Sequence, residues 1–212
     1  FSSSASVYGA PKTKKILETH KMNPMSEYGR NKKEIEKILI QIGKKKNFKS
    51  ISFRYFNAAG ADESAEIGEN HKPETHLIPK ILKSIKRKQK KVYVYGNSYK
   101  TMDGTCIRDF IHVNDIVRAH YYGLKKFNQK KCILNYNIGS GRGYSVLEII
   151  KSIEKVTKVK LKIVFKKKRK GDPPILVADC KKILKHLKWK PKYKSINKII
   201  FTAWQWHKKS FI

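Results

Sequence analysis

Acidic residues are few in this chain: 16 Asp and Glu stand against 49 Lys and Arg in 212 residues, a formal net charge of +33. Cysteine is scarcer. Cys106, Cys132 and Cys180 are the three, and none sits in a C-x-x-C spacing. That odd, unpaired count argues against a disulfide framework and against a zinc site, and points to a reducing, cytoplasmic setting. No apolar run is long enough to span a bilayer. The opening FSSSASVYG has no apolar stretch followed by a cleavage site. It reads as the end of a strand entering a turn, not as a signal peptide, and a true N-terminus is expected upstream of Phe1. Arginine is also sparse: 7 of the 49 basic residues, the other 42 being Lys spread along the whole chain. Base readers and phosphate clamps favour the planar fork of Arg. The charge is therefore read as a compositional bias on solvated faces. It predicts nonspecific attraction to polyanions at low salt, but no specific nucleic-acid partner.

What is present is globular. Hydrophobic residues make up 40% of the chain, and strand and helix patterns alternate, which predicts an α/β fold. Residues 28–45 read as a helix with Ile35, Ile38, Leu39 and Ile42 on one stripe. SISFRYF (50–56) reads as a strand, and 57–76 as a long loop of the kind that carries function. A helix over 77–88 and a strand over 91–96 follow. Asp115 is expected to cap a helix over 116–127. Strands are predicted at 134–139 and 161–165. Ser145 and Glu148 form a capping-box pattern. Asp179 is expected to cap a helix through Leu187, and Ser195 another through Trp206. KKKRKG (166–171) reads as solvated loop. Trp189, Trp204 and Trp206 read as packing for the C-terminal helices.

Tyr28 and Lys32 lie four apart at a helix start and so share a face. A phenol titrates near about 10, and a neighbouring ammonium favours the phenolate. Such a phenolate can take a proton from a sugar hydroxyl while hydride leaves the same carbon. By itself Y-x-x-x-K is a weak signal in a chain with 11 Tyr and so many Lys. Its company strengthens it: FSSSASVYG upstream, RYFN one strand later, then NAAGAD, EIGENHKPETHLIP, VYVYGN, MDGTCIRDFIHVNDIVRAH, YNIGSGRGYSVLEII, RKGDPP and LKWKP. In that order these segments resemble the extended branch of the short-chain dehydrogenase/reductases. As a set they are similar to its UDP-glucose 4-epimerases.

The resemblance implies the C-terminal part of a Rossmann-type doubly wound parallel sheet plus a smaller α/β substrate-binding domain. Residues 1–57 would close the NAD-binding domain and carry the catalytic helix. Residues 58–212 would mainly bind the nucleotide sugar, with segments around 104–139 returning to the Rossmann sheet. The implied cofactor is NAD, the implied ligand a UDP-sugar, and the implied assembly a homodimer through the long helices. Ser4 resembles the serine that bonds the substrate hydroxyl, Tyr28 the catalytic base, and Lys32 the lysine that holds the nicotinamide ribose and tunes the tyrosine. Phe56 resembles a backbone contact to the nicotinamide, and Asn57 a substrate contact near the diphosphate–sugar end. His76 and Leu77 fall on the diphosphate and nucleotide side. Tyr93, Val94 and Tyr95 resemble the strand over the uracil. Arg108 and Arg169 resemble a diphosphate clamp, Asp172 the ribose acid, and Leu176 a pocket wall near the sugar.

Independent chemistry supports the two arginines, since bidentate phosphate recognition is a task Lys does poorly. For Arg54, Arg87 and Arg118 structural salt bridges are expected instead. His71, Glu74 and His76 share one loop, but a metal needs further ligands and a second shell that the sequence does not display, so no metal is expected. His112 is expected to be a satisfied histidine in or near the core. Relatives that eliminate water carry an acid just after the Ser/Thr; here Ala5 and Ser6 stand there, which favours reversible oxidation at one carbon. The implied reaction is interconversion of UDP-glucose and UDP-galactose at C4 through a 4-keto sugar. No G-x-x-G-x-x-G turn opens the 212 residues, and Gly139, Gly141 and Gly143 come too late to serve as one. Residues 1–212 alone are therefore expected to be inactive. Two alternatives stand: another NAD-dependent nucleotide-sugar epimerase or decarboxylase of the same family, and a truncated non-catalytic basic protein.

Overall fold

The computed structural model describes residues 1–45, 48–127, 133–169 and 171–209. Strand β1 (Ser2–Ser4) leads through a 3₁₀ turn at Ala5–Tyr8 to helix α1 (Glu27–Lys45). Strands β2 (Ser50–Tyr55) and β3 (Asn57–Ala59) follow, then α2 (Leu77–Lys86), β4 (Lys91–Tyr95), β5 (Ile107–His112) and α3 (Val113–Lys126). Next come β6 (Ile133–Ile138), β7 (Gly143–Ser145), α4 (Val146–Thr157), β8 (Lys162–Lys166), β9 (Ile175–Leu176), α5 (Lys181–Leu187) and α6 (Ile196–Lys209).

A parallel sheet of order β1-β2-β6 forms the first layer. Its central strand is covered on both faces, so Ser50 through Arg54 are all buried. Ile51 and Phe53 face α3 and α5 in one core with Ile111, Tyr136, Ile138 and Trp189. Arg54 points the other way and meets Glu36 of α1. Beyond this sheet, β5 pairs parallel with β3 and β9 and antiparallel with β7. β4 and β8 form a separate parallel pair. A second core, built on α2, α4 and α6 with Ile81, Leu82, Ile149, Ile150, Ile153 and Ile200, packs beneath these strands.

Several expectations are corrected. Asp115 is not the cap of α3. His112 is, its ring accepting the Asn114 amide at 3.1 Å, because the strand β5 runs directly into the helix. Asp115 instead sits buried in the first turn and accepts the backbone amides of Lys192 and Tyr193. Cys180 occupies the cap of α5, although the Asp179 carboxylate still accepts the Lys181 amide. On α1 the stripe is present and outward: Ile35, Ile38 and Ile42 are exposed, while Gly29 and Glu36 are buried. The capping box at Ser145 and Glu148 is present. Cys132 lies outside the described residues; Cys106 and Cys180 are free thiols.

Candidate active site

The β1 end is where the site begins. Ser4 closes β1 and caps the 3₁₀ turn, its Oγ accepting both the amide of Ser6 at 3.2 Å and the hydroxyl of Ser6 at 3.0 Å. With its acceptor sites so used, the Ser4 hydroxyl proton is left to donate elsewhere. Gly29 brings α1 against this turn: a Cβ there would stand 2.7 Å from the Ser6 carbonyl oxygen. That close approach seats Tyr28 beside Ser4 on the wall of one cavity. Lys32 lies one turn on, its Nζ 5.4 Å from the Tyr28 ring centre and donating to the Ser2 carbonyl at 2.8 Å. Tyr28 itself is 57% exposed.

The cavity has a volume of about 1050 Å³. It gathers Ser4, Tyr28, Phe56, Asn57, His76, Leu77, Tyr93, Val94, Tyr95, Arg108, Arg169 and Asp172 from segments scattered over the whole chain. Lys32 and Leu176 are not among the lining residues. Lys32 backs the wall through Tyr28; Leu176 packs with Phe56 against Ala5, Val7, Tyr8 and Ile16. Arg108 does not pair with its sequence neighbour Asp109 or with Asp115. Its Nη2 donates to Asp172 at 2.6 Å and its Nη1 to the Pro173 carbonyl at 2.8 Å. The Arg169 guanidinium lies 4.5 Å over the ring of Tyr95. Two guanidinium groups and an aromatic strand thus share one cavity with a serine and a tyrosine.

Several structural residues that sequence reasoning missed hold this arrangement. Asp109 is fully buried and accepts from the Ser140 amide and hydroxyl, the Gly141 amide and the Ala178 amide. Burial lifts its pKa to about 6, against the pull of those donors. A Cβ on Gly139 would meet Asp109 Oδ2 at 2.4 Å, which explains the glycine run as a cradle for a carboxylate. Asn57 donates to the Asp109 carbonyl at 2.9 Å, tying β3 to β5. Glu36 and Arg54, each 2% exposed, are joined by Nη2 to Oε2 at 2.5 Å. Ser3 donates to the same carboxylate and Arg54 to Tyr8 at 2.7 Å. Burial, outweighing the adjacent guanidinium, pushes the Tyr8 phenol up to about 12, so it stays a neutral donor to Asn137. Arg118 bonds Asp115 at 2.9 Å, the salt bridge expected of it. Burial pushes the Cys180 thiol up to about 12 and raises that of Cys106, so neither is a poised nucleophile. His112 is buried, bonded to Thr202 at 2.9 Å and stacked on Tyr193.

Parallel Rossmann-type topology with Ser, Tyr and Lys at the end of β1 and the start of α1 defines a class. The profile of the NAD dependent epimerase/dehydratase family matches residues 1–139, and the chain belongs to that family. Among its relatives, the UDP-glucose 4-epimerase of Lactobacillus helveticus is 44% identical over 208 residues, which is 98% of this chain and 63% of that protein. A crystal structure of a UDP-glucose 4-epimerase superposes with a TM-score of 0.94 at 43% identity, covering 99% of this chain and 64% of the other. The structure of the Bifidobacterium longum UDP-glucose 4-epimerase in complex with NAD⁺ and UDP superposes with a TM-score of 0.92 at 37% identity, covering 99% and 63%. The chain thus spans just under two thirds of the length of the relatives it matches. Among the described residues no helix is long and apolar enough to cross a membrane.

Proposed function

We propose that these residues form the catalytic helix and nucleotide-sugar site of a UDP-sugar 4-epimerase that interconverts UDP-glucose and UDP-galactose. The observation that carries the reading is the single cavity that unites Ser4 and Tyr28 with Arg108, Arg169 and Asp172. A UDP-sugar presents a hydroxyl for the first pair and a diphosphate for the arginines. Asp172 then suits the ribose, and the Tyr93–Tyr95 strand the base. Tyr28 removes the 4-hydroxyl proton, aided by the Lys32 charge. Ser4 donates to the same oxygen, its proton directed by the two bonds it accepts from Ser6. Ala5 and Ser6 offer no acid for elimination, so the sugar is oxidised and reduced again at one carbon. Leu176 packs against the same small core as Phe56 and would limit the sugar end through it.

The residues present fit NAD at its nicotinamide end: Ser4, Tyr28 and Phe56 line the cavity, with Lys32 beside them. The 212 residues hold no Gly-rich turn for its pyrophosphate. Bound NAD supplies the acceptor and donor of hydride; the protein supplies position and charge. The exposed stripe Ile35, Ile38 and Ile42 supports association of two copies through α1. The unpaired thiols Cys106 and Cys180 support a cytoplasmic setting.

The test is Tyr28→Phe in the full-length protein that carries these residues. Turnover of UDP-galactose should fall by about 10²- to 10⁴-fold with KM little changed. A variant that keeps the parental rate would remove Tyr28 from the chemistry.

A further inference from the structure

The loop 69–76 carries two histidines whose rings turn toward one another. His71 and His76 each direct Nδ1 at the same oxygen, Oε1 of Glu69; for His71 the separation is 3.0 Å. Their ring centres are 5.3 Å apart and the planes nearly perpendicular, at 86°. Glu74 completes the group, and one ligand atom from each of the four residues lies within 4.8 Å of the others. The Glu74 side chain is only 8% exposed. Its Oε2 is shut from solvent and ion-paired with the Lys83 ammonium at 3.3 Å, which leaves Oε1 as the oxygen that faces the two rings.

We propose that Glu69, His71, Glu74 and His76 form a structural zinc site on the rim of the nucleotide-sugar cavity. Zinc takes imidazole nitrogen and carboxylate oxygen at about 2.0–2.2 Å in a tetrahedron, so its ligand atoms stand about 3.5 Å apart. The widest separation must close by roughly an ångström, while the two Nδ1 atoms, 3.0 Å from Glu69 Oε1 for His71, must move off that oxygen to admit the ion. Two imidazoles meeting at one carboxylate oxygen already mark the centre. Each neutral ring moves its proton from Nδ1 to Nε2 and turns a nitrogen lone pair inward, so no proton need be released. Four protein ligands make a closed site, which holds a loop and does no chemistry.

The surroundings are built to hold ligands in place. Trp206 donates to the Glu69 carbonyl at 3.2 Å. The His76 amide donates to Glu74 Oε1 at 3.0 Å, and Lys83 to the His71 carbonyl at 3.1 Å. Such outer contacts orient metal ligands. Lys83 is the opposing charge, and it remains on the outer oxygen of Glu74. Zinc would therefore pin the loop that supplies His76 to the cavity wall.

The experiment uses the untagged full chain, stripped with EDTA, and titrates it with Zn²⁺ by calorimetry and with Co²⁺ by visible absorption. The parent should take up about one equivalent. Its cobalt form should show the strong bands of four-coordinate cobalt, and zinc should raise its melting temperature. His71→Ala/His76→Ala should weaken uptake by at least about tenfold and abolish the bands. Both rings are more than half exposed, so this variant should still fold. Glu69→Gln, which keeps the side-chain shape, should weaken uptake in the same direction. No uptake by the parent, equal affinity in the double variant, or a pale six-coordinate cobalt spectrum would each overturn the proposal. Each outcome is independent of whether the chain is an epimerase.

Discussion

Glu36 shows what a single residue does against the pattern around it. It sits in a helix whose isoleucines face outward, yet it is buried with Arg54, Ser3 and, through Arg54, Tyr8. A salt bridge is expected for Arg54 in place of a phosphate contact, but its partner is not legible in the sequence. Nothing in EIEKILIQ distinguishes Glu36 from Glu34, which pairs with Lys37 at the surface. Only the small and polar inner face of β2, Ser50, Ser52 and Arg54, shows why a carboxylate is wanted there. Removing it strands a buried guanidinium. Glu36→Ala should cost about 3–5 kcal/mol in urea unfolding. Replacing the pair together, Glu36→Leu with Arg54→Leu, should recover much of that loss. A single-variant loss below about 1 kcal/mol would show the pair to be solvated. Tyr28 and Lys32 are the opposite case, since spacing alone put them on one face and the structure places them there.

At the level of elements, strand β5 is the hinge of the site. It pairs with β3, β7 and β9 and hands Arg108 to the cavity. Helix and strand boundaries were largely legible because periodicity and the Ser145–Glu148 box are local signals. The cap of α3 and the pairing of β5 were not, because they depend on Asp109 and Asp115 bonding to segments more than 30 and more than 70 residues away. Asp109 also makes β5 pH-sensitive. Its folded pKa of about 6 stands above the ordinary 3.8, so the folded state takes up this proton more readily. The stabilisation from that proton is fully present below pH 3.8 and is lost as pH rises through about 6. Other carboxylates titrate in the same range, and comparison with Asp109→Asn cancels them. The unfolding free energy of the parent, less that of the variant, should fall by about 2 kcal/mol between pH 4 and 7. A difference independent of pH would mean that Asp109 is ionised throughout.

The whole molecule joins a sheet with an open edge to a cavity lined from segments scattered along the chain. β1 is paired with β2 on one side and carries Ser4 at its end, and among the described residues no strand lies on its other side. Helix α1, which packs on the sheet beside it, exposes Ile35, Ile38 and Ile42 as an apolar stripe. An open parallel edge and an apolar helix face are each costly in water. The α1 stripe is the face proposed above to pair two copies, and the open edge of β1 is a second place where another chain can add. Residues 1–212 expressed alone should therefore bind NAD too weakly to detect by calorimetry, fail to interconvert UDP-glucose and UDP-galactose, and self-associate in sedimentation runs. Ile38→Lys with Ile42→Lys should reduce that association without restoring turnover, because the charge removes the apolar contact and supplies no cradle for pyrophosphate. On the proposed assignment of Arg108, Arg169, Asp172 and the β4 strand to the nucleotide, UDP alone should still bind measurably. Epimerase activity from residues 1–212 by themselves would show that Tyr28, Lys32 and Phe56 hold the cofactor without a Gly-rich turn, and would overturn this division of labour.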